Sequence, residues 1–455
     1  MRRFRPASAF VALSVLLVLP AVHAQPAAAP LETRHARPSP AWLTSGVIYE
    51  IFVRSFSPEG DLNGVTRRLD DLQRLGVNIL WLMPIHPHGE LKKKGSIGSP
   101  YAVRDYYAID PKYGTKGDLT NLVREAHRRQ MKVIIDVVAN HTAWDSVMMA
   151  HPDFYKHGPD GQITFPHDWS DVAALNYANP QLRRYMTDML VYWIKTFDLD
   201  GYRCDVASEV PTDFWEQARL ELQRIKPDIM MLAEASKPEL LRSAFDIDYS
   251  WPLLGTVNDV IMRGAPASAV RDSVEQQRAL FPDGALHMRI SDDHDEERAI
   301  ARYGWPGALA ASALMFTLDG VPVLYNGMEV GDTTESGAPA LFENLKVFWP
   351  IAERRPQFAK FYATIIPLRR QHAALWQGTL TWLHNSDERH IVSYLRQSRS
   401  EQFLVMVNLS NTPFSGTVEA PAGNWRAVDL GFGPARETAL PSVSLAAFGA
   451  RIFQQ

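Results

Sequence analysis

The stretch "KVIIDVVANH", residues 132–141, is a nearly continuous apolar run that ends in polar side chains. The residues before it, "LTNLVREAHRRQ" (119–130), repeat their apolar positions at helical spacing. Apolar strands that alternate with helices are typical of a parallel sheet whose faces are covered by helices. The stretch therefore predicts one strand–helix unit of an α/β fold.

Runs of the same kind recur along the chain, with helical patterns between them. They cover residues 47–56, 77–87, 132–141, 201–207, 229–235, 244–251, 285–296 and 321–329. Eight strand–helix units in about 330 residues predict a (β/α)8 TIM barrel.

The barrel is predicted to occupy residues 43–375, and two regions depart from its pattern. Residues of about 142–178, after the third strand, are rich in His, Asp, Gly and Pro and lack long periodicity, which indicates a short insertion. Residues 376–455 form short alternating runs separated by turn residues. They predict a C-terminal antiparallel, β-sandwich-like domain.

The N-terminal residues carry the features of a targeting segment. Residues 1–24 combine a basic start, the apolar run "VALSVLLVLP" and the small-residue site "VHA". Together they predict a secretory signal peptide that is cleaved after Ala24. The Pro/Ala-rich residues 25–42 predict a flexible linker. We therefore expect a periplasmic or secreted protein.

Composition excludes several functional classes. The net charge of −4 and the absence of a long basic block give no basis for a nucleic-acid partner. No segment after the signal peptide is apolar and long enough to suggest a membrane partner. Cys204 is the only cysteine, so neither an intramolecular disulfide nor a thiolate zinc site is possible.

Polar residues fall at the carboxyl ends of the predicted strands, where a TIM barrel has its active site. They are Asp136, Asn140, His141, Arg203, Asp205, Glu234, Asp293, His294 and Asp295. Taken singly, each could be an ion-pair partner, a turn residue or a core histidine. Several acids at one end of a barrel would repel each other without a purpose, and close like charges raise one pKa. One ionised and one protonated carboxyl group form the pair that glycoside hydrolysis requires.

Four short motifs resemble those of the α-amylase family of retaining glycoside hydrolases, in that family's order and on the expected strands. They are "DVVANH" (136–141), "GYRCD" (201–205), "AEA" around Glu234 and "DHD" (293–295). The stretches at 98–115 and 320–332 also resemble family loops, so the resemblance covers residues 45–455. It implies a hydrolase of α-1,4-glucosidic bonds in starch, maltodextrins or related α-glucans, which the signal-peptide pattern predicts to be exported.

The resemblance also implies roles for the residues that carry the reaction. Asp205 would be the nucleophile that forms a covalent glycosyl-enzyme. Arg203 would hold Asp205 ionised and oriented, because a nearby cation lowers the pKa of a carboxyl group. Glu234 would be the general acid and then the general base.

Further residues would bind the sugar that is cleaved. By the same resemblance, Asp295 and His294 would bind its hydroxyls, His141 its primary hydroxyl, and Tyr101 would stack on its face. Asp136 would lie behind these residues, near Arg203.

The calcium-binding residues of the family are only partly present. Asn140 is a possible ligand, but Ala174 stands where relatives have an aspartate, and Glu209 stands at the position of a carbonyl ligand. The metal-binding run after the first strand is shortened to "PEGDLNG" (58–64). Because calcium needs several oxygen ligands and usually carboxylates, we expect no required metal and no other cofactor.

Other departures from the family keep alternatives open. Asp293, also behind the sugar-binding residues, replaces a usual asparagine, and Val206 is similar to members that act on α-1,6 bonds. An exo-acting α-glucosidase or a maltooligosaccharide transglycosylase is the closest alternative. A non-catalytic glucan-binding protein is disfavoured because Asp205 and Glu234 are both present. A metal-dependent hydrolase is disfavoured because no paired histidines occur at strand ends.

Overall fold

The computed structural model describes residues 35–431 and 440–455. The predicted signal peptide, residues 1–24, and the first ten residues of the predicted linker lie outside these ranges.

Ten strands precede the C-terminal domain in the described chain. They are Ile48–Ile51 (β1), Ile79–Leu82 (β2), Lys132–Val138 (β3), His141–Ala143 (β4), Val172–Ala174 (β5), Gly201–Asp205 (β6), Met230–Ala233 (β7), Ile247–Tyr249 (β8), Leu286–Arg289 (β9) and Val321–Tyr325 (β10). Strands β4 and β5 pair with each other, and the other eight close a parallel barrel in the order β1-β10-β9-β8-β7-β6-β3-β2. The eight predicted strands and the TIM barrel are thus confirmed.

Fourteen α-helices occur in the described residues. They are Ala41–Thr44 (α1), Val53–Phe56 (α2), Leu62–Arg67 (α3), Leu69–Leu75 (α4), Lys116–Arg128 (α5), Pro180–Phe197 (α6), Thr212–Ile225 (α7), Leu240–Ser243 (α8), Trp251–Arg263 (α9), Ala269–Leu280 (α10), Ala299–Thr317 (α11), Ala338–Phe342 (α12), Pro356–Gln371 (α13) and Ala373–Trp376 (α14). Helix α5 begins with a capping box, in which Thr115 and Asp118 satisfy each other's backbone N–H groups.

Two apolar layers hold the barrel together. Alternate strand residues, among them Ile48, Trp81, Ile134 and Met288, fill the inside of the barrel, and all are fully buried. The intervening strand residues pack outward against the helices. This double burial explains why the strands are continuous apolar runs rather than alternating ones.

Strand β6 lies unusually close to its neighbour β7. A Cβ atom on Gly201, the first residue of β6, would come within 2.1 Å of the Met230 carbonyl oxygen. Only glycine fits such a backbone approach. On its other side, β6 pairs with β3 so that Arg203 lies opposite Asp136. This register brings two of the predicted site residues side by side.

The insertion after β3 forms a short hairpin rather than a separate core. Its β4 and β5 pair antiparallel, with His141 opposite Ala174. Short 3-10 turns at Val147–Ala150 and Pro152–Phe154 connect them. The insertion thus stays at the mouth of the barrel.

The C-terminal residues form an antiparallel domain, as predicted. Its strands are Thr379–Trp382 (β11), Ile391–Gln397 (β12), Gln402–Asn408 (β13), Phe414–Thr417 (β14), Arg426–Ala427 (β15), Ser442–Leu445 (β16) and Ala450–Gln454 (β17). A five-stranded sheet in the order β11-β12-β13-β17-β15 accompanies the pair β14-β16. An apolar cluster that includes Leu404, Met406, Phe414, Val443 and Phe453 forms a core within this domain.

The described end of the predicted linker is attached to the barrel. The Ala36 amide donates to the Asp283 carbonyl at 2.9 Å, and the Arg37 amide donates to the Leu241 carbonyl at 3.1 Å. The Arg37 guanidinium also pairs with the buried Asp246. Residues 36 and 37 are therefore held in place rather than free. Among the described helices, none is both long and apolar enough to cross a membrane.

Candidate active site

The predicted polar residues meet at the carboxyl end of the barrel, in an open cleft with an empty volume of about 700 Å³. Side chains from five of the predicted positions line it, namely Tyr101, His141, Asp205, Glu234 and Asp295. Parallel strands end at one face, so residues distant in sequence converge there.

Arg203 is fully buried and contacts three carboxylates, two of which line the cleft. Its Nη1 atom donates to both Asp136 oxygens at 3.0 Å and to Asp205 Oδ1 at 3.2 Å. Its Nη2 atom lies 2.8 Å from Glu234 Oε2 in an ion pair whose angle is too poor for a hydrogen bond. One buried guanidinium therefore contacts both proposed catalytic carboxylates, on β6 and after β7.

That Arg203 holds Asp205 ionised and oriented stays a prediction, and in the free site Arg203 does not contact Asp205 alone. Burial raises the pKa of Asp205 well above its ordinary value, and the Glu234 carboxylate adds to this effect, while Arg203 opposes both. The physical reason is that one cation is shared by three acids. Arg203 thus lowers the pKa of Asp205, as expected, but by less than burial and Glu234 raise it.

Glu234 is oriented by a strained backbone. The Val206 amide donates to Glu234 Oε2 at 2.7 Å, and Val206 has φ of 40°, in the left-handed region. A β-branched residue rarely adopts this conformation, and such strain concentrates at functional sites. The strained turn after Asp205 thus points an N–H group at Glu234, the predicted general acid.

His294 joins the sugar-binding residues into one network. Its Nε2 atom lies 2.7 Å from the Tyr101 hydroxyl and 3.1 Å from Asp295 Oδ2, and its Nδ1 atom lies 2.5 Å from Glu50 Oε1. Burial lowers the pKa of His294, but Asp295 and Glu50 outweigh it and raise that pKa well above the ordinary value. His294 is therefore an imidazolium at neutral pH.

The charge on His294 keeps Asp295 ionised. Burial alone would raise the pKa of Asp295, but the adjacent His294 lowers it below its ordinary value. Asp293, in contrast, does not face the sugar. Its Oδ1 atom accepts from the Asp295 and Glu296 amides, each at 3.1 Å, so it holds the turn that presents Asp295.

His141 has the opposite charge state to His294. Burial lowers the pKa of His141 to about 4, so its ring is neutral. Its Nε2 atom lies 3.9 Å from Asp205 Oδ2, and its ring packs edge-on against Trp169 of the insertion at 5.6 Å. A neutral imidazole next to Asp205 can hydrogen-bond a sugar hydroxyl without adding a second cation.

Asp136 lies next to Arg203, whereas the stacking of Tyr101 on the sugar stays a prediction. Asp136 is fully buried behind Arg203 and also accepts from the Tyr101 hydroxyl at 3.1 Å. Burial raises the pKa of Asp136 to about 6 against the opposing effect of Arg203. The Tyr101 ring stacks on His294 with centroids 5.4 Å apart, so one aromatic surface borders the cleft.

Glu50 is the functional residue that the sequence analysis missed. It is fully buried on β1, within the run "VIYEIF", and hydrogen-bonds His294. The signal was available, because an acid inside an apolar strand is the same anomaly as Asp205. Lys94, Asp171, Leu341 and Phe342 also line the cleft, and no pattern along the sequence marks them.

The residues near Asn140 do not form a clear calcium site. Asn140 Nδ2 lies 3.4 Å from His141 Nδ1, and Ala174 presents no oxygen from its side chain. The Glu209 carboxylate lies 3.7 Å from His167 Nε2 and is half-exposed. Within residues 35–431 and 440–455, no group of three or more His, Cys, Asp or Glu residues could hold a metal.

Comparison with family models gives one match. The model described as alpha amylase, catalytic domain, matches residues 44–172 and 160–354 of this chain. These residues include the whole barrel mouth described above.

Individual proteins are similar over most of this chain. Alpha-amylase MalA of Haloarcula japonica is 29% identical, over 85% of this chain and 58% of its own length. A cyclomaltodextrinase of a Bacillus species is 28% identical, over 81% of this chain and 73% of its own length. The crystal structure of the noncanonic maltogenic alpha-amylase AmyB of Thermotoga neapolitana superposes with a TM-score of 0.79 at 29% identity, covering 91% of this chain and 97% of that one.

Proposed function

Because this chain belongs to the family of alpha-amylase catalytic domains, we propose that it is a retaining glycoside hydrolase of α-1,4-linked glucans. The observation that carries the proposal is the contact of one Arg203 guanidinium with both Asp205 and Glu234. Carboxyl groups that share neighbouring nitrogens of one guanidinium lie close together. Retaining hydrolysis needs such a close pair, whereas inverting hydrolysis needs room for a water between them.

In the first half of the reaction Glu234 acts as the general acid. It donates a proton to the glycosidic oxygen as the bond from the anomeric carbon to that oxygen breaks. An Asp205 oxygen forms a new bond to the anomeric carbon, and the leaving chain departs as an alcohol. Arg203 remains to balance the negative charge.

The second half returns the site to its starting state. Glu234, now a carboxylate, accepts a proton from a water molecule that attacks the anomeric carbon. The bond from that carbon to Asp205 breaks, and the sugar leaves with its original anomeric configuration. His294, Asp295 and His141 hold the sugar hydroxyls while the ring flattens.

Product analysis tests the proposal. The purified enzyme is incubated with maltooligosaccharides, with amylose and with pullulan. Proton NMR during the first turnovers is expected to show the α-anomer as the initial product. An initial β-anomer would contradict retention, and products longer than the substrate would indicate transglycosylation. The Asp205→Asn variant, prepared in parallel, controls for contaminating amylases.

We also propose export of the enzyme, on the basis of the signal-peptide pattern in residues 1–24. Expression of the full chain followed by cell fractionation and N-terminal mass analysis tests this. A mature protein that begins after Ala24, outside the cytoplasm, is expected. An unprocessed cytoplasmic chain would contradict it.

A further inference from the structure

The loop after β2 crosses the rim of the cleft. We call residues 89–98, "GELKKKGSIG", the strap. It leaves β2, contacts the insertion after β3, and then contacts the loop after β10. Its residue Lys94 and the neighbouring Ser99 line the cleft directly.

Three contacts tie the strap to the insertion. The Glu90 amide donates to Asp145 Oδ2 at 3.1 Å. The Lys92 ammonium lies 3.5 Å from the centre of the Trp144 ring, a cation–π contact. Nearer the cleft, Lys94 Nζ lies 2.9 Å from Asp171 Oδ1, and the Asp171 side chain is almost fully buried.

Three further contacts tie the strap to the loop after β10. The Ser96 amide and hydroxyl both donate to the Glu343 carboxylate. The Ile97 amide donates to the Phe342 carbonyl at 3.2 Å. Gly95, with φ of 66°, approaches so closely that a Cβ atom would lie 2.4 Å from Phe342 Cβ, which only glycine permits.

The ring order of the barrel shows which side of the cleft this closes. In the order β1-β10-β9-β8-β7-β6-β3-β2, strand β1 stands opposite β7. Glu234 follows β7, and as the general acid it marks the side on which the leaving chain departs. The strap contacts elements that follow β3 and β10, which lie on either side of β1 in the ring. It therefore crosses the side of the cleft opposite Glu234, where the glycone end of the substrate would continue.

From this arrangement, which rests on the proposed function, we infer that the enzyme acts from the non-reducing end of α-glucan chains. The strap, Asp171 and Phe342 close the glycone side of the cleft. A glucan chain can therefore enter only with its terminal residues, and it cannot continue past the strap. The Lys94–Asp171 pair supplies polar atoms that face the cleft for the terminal hydroxyls. Steric conflict with the strap prevents cleavage of chains whose non-reducing end is blocked by a bulky group, and of cyclic chains, which have no end.

A pair of substrates tests the inference. One is p-nitrophenyl maltoheptaoside, and the other carries an ethylidene acetal on the terminal 4- and 6-hydroxyls. Products are separated by chromatography, so that a cut at any bond is detected. The unblocked substrate is expected to be cleaved, and the blocked one at least about 100-fold more slowly. Similar rates on both would overturn the inference and leave the proposed function standing. Cleavage of neither would overturn the proposed function and this inference with it.

Cyclic maltoheptaose provides a second measurement, because it has no end to insert. Its hydrolysis is expected to be at least about 100-fold slower than that of linear maltoheptaose. Comparable rates would contradict a closed glycone side.

Variants of the strap show whether its contacts cause the preference. The double variant Lys94→Ala/Glu343→Ala removes one tie on each side, and it is expected to cleave the blocked substrate at least about tenfold faster relative to the unblocked one. Lys93→Ala is the matched control, because Lys93 is in the same loop and, within the described residues, its ion pair is with the exposed Glu90, at 2.6 Å. An unchanged ratio in the folded double variant, or an equal change in Lys93→Ala, would contradict the role of the strap.

Discussion

The two sides of the cleft are built in different ways. On the reactive side, Asp205 ends β6 and Glu234 directly follows β7, whereas Asp295 lies in the loop after β9. On the strap side, loops that follow β2, β3 and β10 are held together by side chains such as Lys94, Asp171 and Glu343. The comparison teaches that the barrel positions the candidate reactive acids, whereas contacts between loops shape the other side, which we propose selects the part of the substrate that fits.

The largest expected effect comes from breaking the reactive side. Asp205→Asn removes the nucleophile, and we expect a loss of activity on the order of 1,000-fold or more on every α-glucan. The loss should persist when the strap is opened by Lys94→Ala/Glu343→Ala, because the strap supplies no chemistry. Initial rates on maltoheptaose measure this. Substantial activity in a folded Asp205→Asn enzyme would show that another residue is the nucleophile.

The Glu234→Gln variant should show whether Glu234 donates a proton or only maintains the structure of the reactive side. On maltooligosaccharides we expect a loss of about 100-fold to 10,000-fold, the usual contribution of a general acid. On α-glucosyl fluoride the loss should be much smaller, because fluoride leaves without protonation. The ratio of the two losses is the measurement. Equal losses would indicate that Glu234 only maintains the structure of the site.

A variant of Glu50 tests strand β1, where the reactive side and the strap side of the cleft meet. Its carboxylate helps to raise the pKa of His294, so Glu50→Gln should lower that pKa. His294 would then lose its proton at a lower pH, and the basic limb of the kcat/KM profile should move to lower pH. We also expect a fall in kcat/KM of about tenfold at neutral pH. An unmoved basic limb in a variant with unchanged Tm would show that His294 does not need Glu50 for its charge.

The smallest expected effect concerns calcium. The insertion is joined to the rest of the rim by strap contacts such as Lys94–Asp171, and Ala174 offers no ligand in place of an aspartate. Excess chelator against millimolar calcium should therefore change Tm by less than about 1 °C. Activity should be equally unaffected. A large chelator-induced fall in Tm or activity that calcium restores would show that the insertion depends on a metal.

Much of the reactive side could be predicted because its signals are local. Eight apolar runs predicted the eight strands, and acids at their ends predicted Asp136, Asp205, Glu234 and Asp295. The cost of burying a charge makes each of these residues conspicuous in an apolar run. Glu50 was equally conspicuous and was missed, since the short motifs of the family resemblance did not include it.

The charge balance around Arg203 could not be predicted in the same way. The family resemblance implied that Arg203 lies beside Asp205, with Asp136 nearby. The structure adds Glu234, from the turn after β7, to the same guanidinium. A pKa depends on all charges within a few ångströms, and only the closed barrel defines that set.

The sequence by itself determined the barrel, the position of its mouth and the acids in it, because strand periodicity and buried charge are properties of short segments. The strap was decided by tertiary structure alone. Its run "LKKKG" is indistinguishable in sequence from a solvated surface loop, and Lys94 acquires a partner only because Asp171, 77 positions further along the chain, folds back beside it. Contacts between distant loops depend on where the whole chain places them, and no local pattern encodes such a placement.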